Sequence, residues 1–208
     1  MKKLISLFPL LLLFTGCLTL DDNLFNNEKI TEYRLNNYEG EVDFKLNASY
    51  AIPDSLVHLF TLNSQTANEN SATTIYAIYI GDISRIGVDT VIMYCHGNRD
   101  HMDFYWPRAQ LLANTGGKNR YGVLMIDYRG FGMSDGHPDE EGLYADVDAA
   151  LNWLKSKGLQ KERLVIYGYS LGCAPATKMC AHHYSLKPSK ILLEAPFASP
   201  EVMIQDGT

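Results

Sequence analysis

The amino-acid sequence predicts an α/β fold, in which a mostly parallel sheet carries helices on both faces. Continuous apolar runs such as VIMYC at residues 91–95 and GVLMIDY at residues 122–128 are typical of parallel strands that are covered on both faces. Helix-like segments separate these runs, and a glycine-rich turn, RGFGMSDG, follows the second run. Strands that alternate with helices imply right-handed crossovers within one sheet.

One helix is defined by the signals at its two ends. Pro138 fits a first helical turn, the acidic residues 139–141 complement the positive end of a helix, and Gly158 suits its C-terminal cap. The apolar positions between these ends fall on one stripe. Together, these patterns predict parallel strands at residues 91–95, 122–128, 164–169 and 190–195. They predict helices at about residues 104–114 and 139–157, and a third helix that follows the serine turn and ends at about residue 183.

The residues before the parallel strands predict a small antiparallel part of the sheet. Strand-like stretches lie at residues 41–51, 57–62 and 74–80. Apolar and polar side chains alternate in the first and last of them, which suits antiparallel strands with one wet face. The polar residues 65–73 predict a loop between the second and third stretches.

The N-terminus has the features of an export signal. Lys2 and Lys3 precede an apolar segment at residues 4–14 that is too short to span a bilayer as a helix. The following Thr15-Gly16-Cys17 resembles a bacterial lipobox, which implies that Cys17 is lipid-modified and becomes the mature N-terminus. The alternative is an ordinary signal peptide with an incidental cysteine.

These features predict three parts of the chain and a location. Residues 1–16 are the signal peptide, the polar residues 17–40 are a tether, and residues 41–208 are one domain. Acyl chains on the cysteine would hold the exported protein on a membrane of the bacterial cell envelope.

Composition excludes several classes of function. A hydrophobic share of 46% is that of a globular protein, and a net charge of -6 argues against nucleic acid as a partner. No metal-binding spacing of cysteines occurs, and we expect no cofactor. Cys173 and Cys180 lie about 10 Å apart along a predicted helix, too far for a disulfide. Cys95 could approach Cys173, but isolated buried thiols are favoured.

The chemistry of the chain centres on Gly168-Tyr169-Ser170-Leu171-Gly172, a G-x-S-x-G pattern between a predicted strand and a predicted helix. Small residues two before and two after the serine let the backbones pass each other, and the serine itself takes a strained dihedral. The helix that follows directs its free N–H groups towards charge on a substrate oxygen. The alternative is a chance occurrence, but the strand and helix on either side favour a nucleophile elbow.

Four turns in this order resemble the α/β-hydrolase superfamily, in its branch of small serine esterases. They are the segments His96-Gly97-Asn98, DYRGFGMSDG at 127–136, GYSLG at 168–172 and EAPF at 194–197. The resemblance covers roughly residues 88–200 and implies an α/β-hydrolase fold.

The resemblance also implies roles for individual residues. Ser170 is the nucleophile, and the backbone N–H groups of Leu171 and Asn98 form the oxyanion hole, where two fixed donors stabilise the charge of an acyl-transfer intermediate. The alternative for Asn98 is an ordinary turn residue. His96 and Asp127 are expected to be structural, because the acid of this family follows the nucleophile in the chain.

The sequence departs from the family in its base and acid. His182 and His183 lie roughly 18 Å from the serine by helix rise, out of hydrogen-bond reach. Glu194 ends a strand where some hydrolases place their acid, but EAPF favours a structural role. His101 is the alternative base, while His58 and His137 belong to more distant parts of the predicted sheet. We therefore expect a truncated copy that lacks the last strands of the fold.

Two functional hypotheses follow. The first is a lipid-anchored serine hydrolase that acts on a small ester or related acyl substrate and is inactive as this chain. The second is a non-catalytic, hydrolase-like lipoprotein that binds a partner or has no activity. A halide- or epoxide-cleaving enzyme of this fold needs an aspartate as nucleophile, and Ser170 excludes it.

Overall fold

A computed structural model of the chain describes residues 24–41, 46–181 and 184–197. The helices are α1 at Met102–Asn114, α2 at Glu140–Ser156 and α3 at Cys173–Ala181. The strands are β1 at Val57–Ser64, β2 at Thr73–Ile80, β3 at Val91–Cys95, β4 at Gly122–Ile126, β5 at Leu164–Tyr169 and β6 at Lys190–Glu194.

The described residues form one six-stranded sheet in the order β1-β2-β4-β3-β5-β6. β1 pairs antiparallel with β2, and β2 pairs antiparallel with β4. β3 lies parallel to both β4 and β5, and β5 lies parallel to β6. This confirms the α/β fold with antiparallel first strands. Because parallel strands end at one edge of a sheet, the turns after β3, β4, β5 and β6 lie together there.

Helices cover both faces of the sheet, as predicted. Consecutive residues of β3 belong to different hydrophobic cores. Met93 lies in one core with Leu151 of α2 and Met179 of α3, whereas Tyr94 lies in the other with Trp106 of α1. All five side chains are almost fully buried. Burial on both faces explains why the parallel strands read as unbroken apolar runs.

Most predicted elements are confirmed within two residues, and one strand is not. The strand predicted at residues 41–51 is wrong where the structure describes it, because residues 48–50 form a 3₁₀ turn. The side chain of Asn47 caps this turn by accepting the N–H of Ser49 at 2.9 Å. Several predicted features lie outside the described residues, namely the signal segment 1–16, residues 42–45, His182 and His183.

β6 carries an exposed apolar surface. Ile191, Leu192 and Leu193 are 38%, 50% and 43% exposed, although the same strand pairs with β5. In the described part of the chain β6 is the last strand of the sheet order. The predicted loss of the last strands of the fold concerns residues that the structure does not describe, and it stays a prediction.

A buried ion pair fixes the glycine-rich turn after β4 to helix α2. Asp146 of α2 accepts the backbone N–H of Arg129 at 2.7 Å, and its other oxygen lies 3.1 Å from the Arg129 guanidinium. Burial raises the pKa of the Asp146 carboxyl, although Arg129 acts in the opposite direction. A paired buried charge of this kind holds its backbone tightly, because loss of either partner leaves the other unpaired.

The turn after β5 packs with its backbone directly against the end of β3. A Cβ atom on Gly172 would lie 2.0 Å from the carbonyl oxygen of Cys95 and 2.7 Å from that of His96. A Cβ atom on Gly168 would lie 2.6 Å from the carbonyl oxygen of Gly172. Since no side chain fits in either place, the two glycines of the G-x-S-x-G pattern are required by packing.

This packing predicts that Gly172→Ala destabilises the protein by about 3 kcal/mol or more, because backbone atoms at 2.0 Å cannot move aside cheaply. Gly87→Ala is the matched control, since its Cβ would meet its nearest atom at an ordinary 3.4 Å. We expect the control to change the free energy of unfolding by less than about 1 kcal/mol. Urea unfolding of both variants measures the difference, and equal midpoints would refute the packing argument.

Candidate active site

Ser170 occupies a strained position between β5 and α3. Its φ angle is 49°, in the left-handed region that non-glycine residues avoid at a cost of roughly 1–2 kcal/mol. The residues Ser170–Gly172 form a 3₁₀ turn, and α3 begins directly after it at Cys173. The serine is partly exposed. The strained dihedral expected from the G-x-S-x-G pattern is therefore present, and the serine lies at a helix N-terminus.

The two candidate oxyanion donors lie at the same level of the sheet. Cys95 of β3 pairs in register with Gly168 of β5. Asn98 comes three residues after Cys95, and Leu171 comes three residues after Gly168. Both residues therefore lie in turns at the same edge of the sheet. This register is compatible with an oxyanion hole formed by the two backbone N–H groups, and their role stays a prediction.

His96 is a packing residue, as predicted. Its ring is fully buried and lies 4.9 Å from the ring of Tyr105 and 4.4 Å from that of Tyr128. The ring Nδ1 is 2.8 Å from the carbonyl oxygen of Gly97, and the hydroxyl of Tyr128 donates to the carbonyl of His96. These contacts hold the turn that carries Asn98.

Asp127 is also structural, in agreement with its place in DYRGFG. One carboxylate oxygen accepts the N–H of Met102 at 2.7 Å and lies 3.4 Å from Nε2 of His96. The other oxygen accepts the hydroxyl of Tyr33 at 2.6 Å. Burial, and then the charge of Asp127, raises the pKa of Tyr33 far above its usual value. This buried carboxylate therefore joins the start of α1 to the N-terminal part of the chain.

Residues 24–41, which we call the N-terminal strap, lie against the domain. The sequence predicts a tether up to residue 40, but the described part forms parallel bridges from Asn27 to Asp100 and from Lys29 to Gly132. The N–H of Gly132 also donates to the carbonyl of Glu28 at 2.7 Å. The only sequence signal for these contacts is the presence of aromatic residues in a polar segment.

The side chain of Asn98 is bound by this strap. Its Oδ1 accepts the backbone N–H of Asn26 at 2.9 Å, and its Nδ2 donates to the carbonyl of Leu24. The sequence predicted a role for the backbone of Asn98 and no role for its amide. The strap therefore contacts the same residue that supplies a candidate oxyanion donor.

His101, the alternative base, is sealed in this structure. The residue is fully buried, and its ring lies 4.8 Å from the ring of Tyr38 and 6.5 Å from that of Tyr33, both in the strap. Neither ring nitrogen has a hydrogen-bond partner, and Nδ1 is 3.9 Å from the carboxylate of Asp103. Among the described histidines, none is hydrogen-bonded to Ser170. The described geometry assigns no base to this serine.

Glu194 belongs to an ion-pair cluster that the sequence did not reveal. Its carboxylate lies 2.6 Å from the guanidinium of Arg108, which also forms two hydrogen bonds with Glu41 at 2.7 Å and 2.8 Å. The same guanidinium stacks 4.5 Å above the ring of Tyr169, the residue before the serine. Burial, and then a hydrogen bond to Glu194, raises the pKa of Tyr167 to about 12. This cluster agrees with a structural role for Glu194.

The described cysteines are unpaired, as the sequence predicts. Cys95 and Cys173 are buried thiols and Cys180 is partly buried. Burial raises the pKa of all three thiols, which disfavours the reactive thiolate form. Within residues 24–41, 46–181 and 184–197, no cluster of potential metal ligands occurs and no helix is long and apolar enough to cross a membrane.

Comparison with known proteins identifies relatives of about half of the chain. The chain is 32% identical over 109 residues to "Uncharacterized protein YfhR" of Escherichia coli K12, covering 52% of this chain and 37% of that protein. It is 30% identical over 109 residues to "Alpha/beta hydrolase domain-containing protein 17B" of Xenopus laevis, covering 52% and 36%. The match therefore spans little more than a third of these relatives.

Solved structures share the fold. An alpha-beta hydrolase from Vibrio vulnificus superimposes with a TM-score of 0.57 at 23% identity, covering 88% of this chain and 65% of that one. An esterase from Pyrococcus furiosus superimposes with a TM-score of 0.52 at 18% identity, covering 83% and 56%. The family model described as "alpha/beta hydrolase fold" matches residues 90–204. The chain belongs to the alpha/beta hydrolase fold family.

Proposed function

We propose that the whole protein is a serine hydrolase that cleaves esters or related acyl substrates with Ser170 as its nucleophile. The observation that carries this proposal is the strained φ angle of 49° at a partly exposed serine. Strain of this kind persists only where the surrounding structure enforces it, and it is concentrated at functional sites. The esterases among the structural neighbours share the fold alone and leave the substrate open.

The proposed chemistry begins with attack of the Ser170 hydroxyl oxygen on a substrate carbonyl carbon. The carbonyl oxygen becomes an oxyanion and accepts the N–H groups of Leu171 and Asn98, and loss of one such donor slows catalysis by about 10²–10³-fold. The alcohol leaves with a proton, and water then releases the acyl group from the serine. A histidine base has to accept the serine proton, and in our proposal residues outside the described ones supply it together with an acid.

The alternative is a hydrolase-like protein that binds a partner without catalysis. Two observations favour it for these 208 residues. The described histidines make no hydrogen bond with Ser170, and the strap occupies the side chain of Asn98. An unactivated serine would not turn over substrate.

A fluorophosphonate probe distinguishes the two functions, because it reacts with an activated serine. We expect the 208-residue chain to hydrolyse a short p-nitrophenyl ester little faster than buffer, since general-base assistance alone contributes about 10²–10⁴-fold. A longer form that adds an aspartate and a histidine from the same gene is expected to bind the probe and to hydrolyse the ester.

The matched control is Ser170→Ala in the longer form, which is expected to abolish both labelling and turnover. Strong, Ser170-dependent labelling of the 208-residue chain would show that a base is already present. In that case the variant His101→Ala tests the alternative base. No labelling of any form would refute the hydrolase and leave the binding protein.

We also propose that Cys17 carries acyl chains and holds the protein on a membrane of the bacterial cell envelope. The support is the order of two lysines, an apolar segment and Thr15-Gly16-Cys17 in the sequence.

Radiolabelled palmitate is expected to enter the wild-type protein and to be absent from Cys17→Ala. Cys180→Ala is the control, because this cysteine lies in α3 of the folded domain and its loss should leave labelling unchanged. Equal labelling of wild type and Cys17→Ala would contradict the anchor.

A further inference from the structure

We propose that the N-terminal strap is a removable cover of the Ser170 site, which has to leave Asn98 before a substrate can use the oxyanion hole. This inference rests on the proposed role of Ser170 and describes the regulation of that same site. It would make access to the serine depend on the state of the chain before residue 41.

The strap crosses the edge of the sheet where the site lies. Asn27 donates through its side chain to the carbonyl of Gly130 at 2.7 Å, and Lys29 donates to the carbonyl of Ser134, so both hold the turn after β4. The bridge from Asn27 to Asp100 then reaches the turn after β3. β3 is the immediate neighbour of β5, which carries the serine, so the strap runs across the sheet towards Ser170.

The first residues of the strap engage the candidate oxyanion turn itself. Leu24 and Asn26 bind both ends of the Asn98 amide, as described above. Phe25 between them packs edge-on against Phe131, with ring centroids 6.5 Å apart. A substrate whose carbonyl oxygen approaches the N–H of Asn98 therefore meets this end of the strap.

The strap is held in a way that permits release. None of its residues is fully buried, although Phe25, Tyr33 and Leu35 pack against the two hydrophobic cores and Glu41 pairs with Arg108. Its anchors further along are largely polar: Asp103 accepts the N–H groups of Arg34 and Leu35 at 2.8 Å and 2.7 Å, and Asp127 accepts the Tyr33 hydroxyl. Water can replace such donors to a carboxylate, so these polar anchors oppose release only weakly. Leu35 also has a φ angle of 45°, which costs free energy in the bound strap.

Binding of the strap also leaves a polar group unsatisfied. His101 lies beneath the rings of Tyr33 and Tyr38 with both ring nitrogens unpartnered and no exposed surface. A buried ring nitrogen without a partner is unfavourable, and release of the strap would hydrate it. The closed state thus carries a penalty that the open state does not, as expected for a cover that opens.

The test measures access to the serine position without requiring hydrolysis. In the variant Ser170→Cys, the thiol is modified with a maleimide that carries a bulky fluorescein group, and we expect a seated strap to slow this reaction. Fragmentation of the modified peptide in a tandem mass spectrometer distinguishes this thiol from Cys173, which lies three residues away, and from the other native cysteines. Adding Phe25→Ala and Tyr33→Phe removes the aromatic contact and the hydrogen bond to Asp127, and we expect modification to become about tenfold faster or more.

The matched control adds Tyr144→Phe to Ser170→Cys, because Tyr144 also donates its hydroxyl to a carboxylate at 2.6 Å but lies on α2. This control is expected to leave the rate unchanged, and fully buried Cys95 is expected to stay unmodified in every variant, which excludes global unfolding. Equal rates with and without the strap substitutions would overturn the cover. Failure of fluorophosphonate labelling would instead refute the hydrolase and leave this result standing.

Discussion

The site depends on one backbone contact, between the turn after β5 and the end of β3. Gly172 lies so close to the carbonyl oxygen of Cys95 that no side chain fits between them. This contact fixes the turn in which Ser170 adopts its left-handed conformation, and it sets the level of Leu171 relative to Asn98. The strain at the serine is therefore maintained by the packing of two strands rather than by any residue of the turn alone.

A second constraint comes from a carboxylate that is placed like a catalytic acid but acts as a structural one. Asp127 directly follows β4, at the same edge of the sheet as the serine, yet both of its oxygens accept hydrogen bonds from elsewhere in the chain. These bonds connect the start of α1, the turn with His96 and the strap. Substitution of this aspartate would remove contacts to all three segments at once. Asp127 is therefore a positioning residue for the candidate oxyanion turn.

The sequence predicted well what local patterns determine. The strand at 164–169 is confirmed at both ends because a buried parallel strand leaves an apolar run and the serine turn leaves a glycine pattern. The strand predicted at 41–51 failed at residues 48–50, where Asn47 caps a turn that weak alternation did not reveal. The strap and the Arg108 cluster were missed because Asn26 meets Asn98 72 residues away, and Glu41 meets Arg108 67 residues away. No local periodicity encodes such contacts.

The central claim is that Ser170 is a nucleophile whose oxyanion is held by Leu171 and Asn98. A crystal structure of the phosphonylated protein, in the form that the fluorophosphonate labels, tests it most directly. We expect phosphorus on the Oγ of Ser170, its oxygen about 2.7–3.1 Å from both N–H groups, and Leu24 and Asn26 displaced from Asn98. Phosphorus on another side chain, or a phosphoryl oxygen directed away from both N–H groups, would contradict the claim.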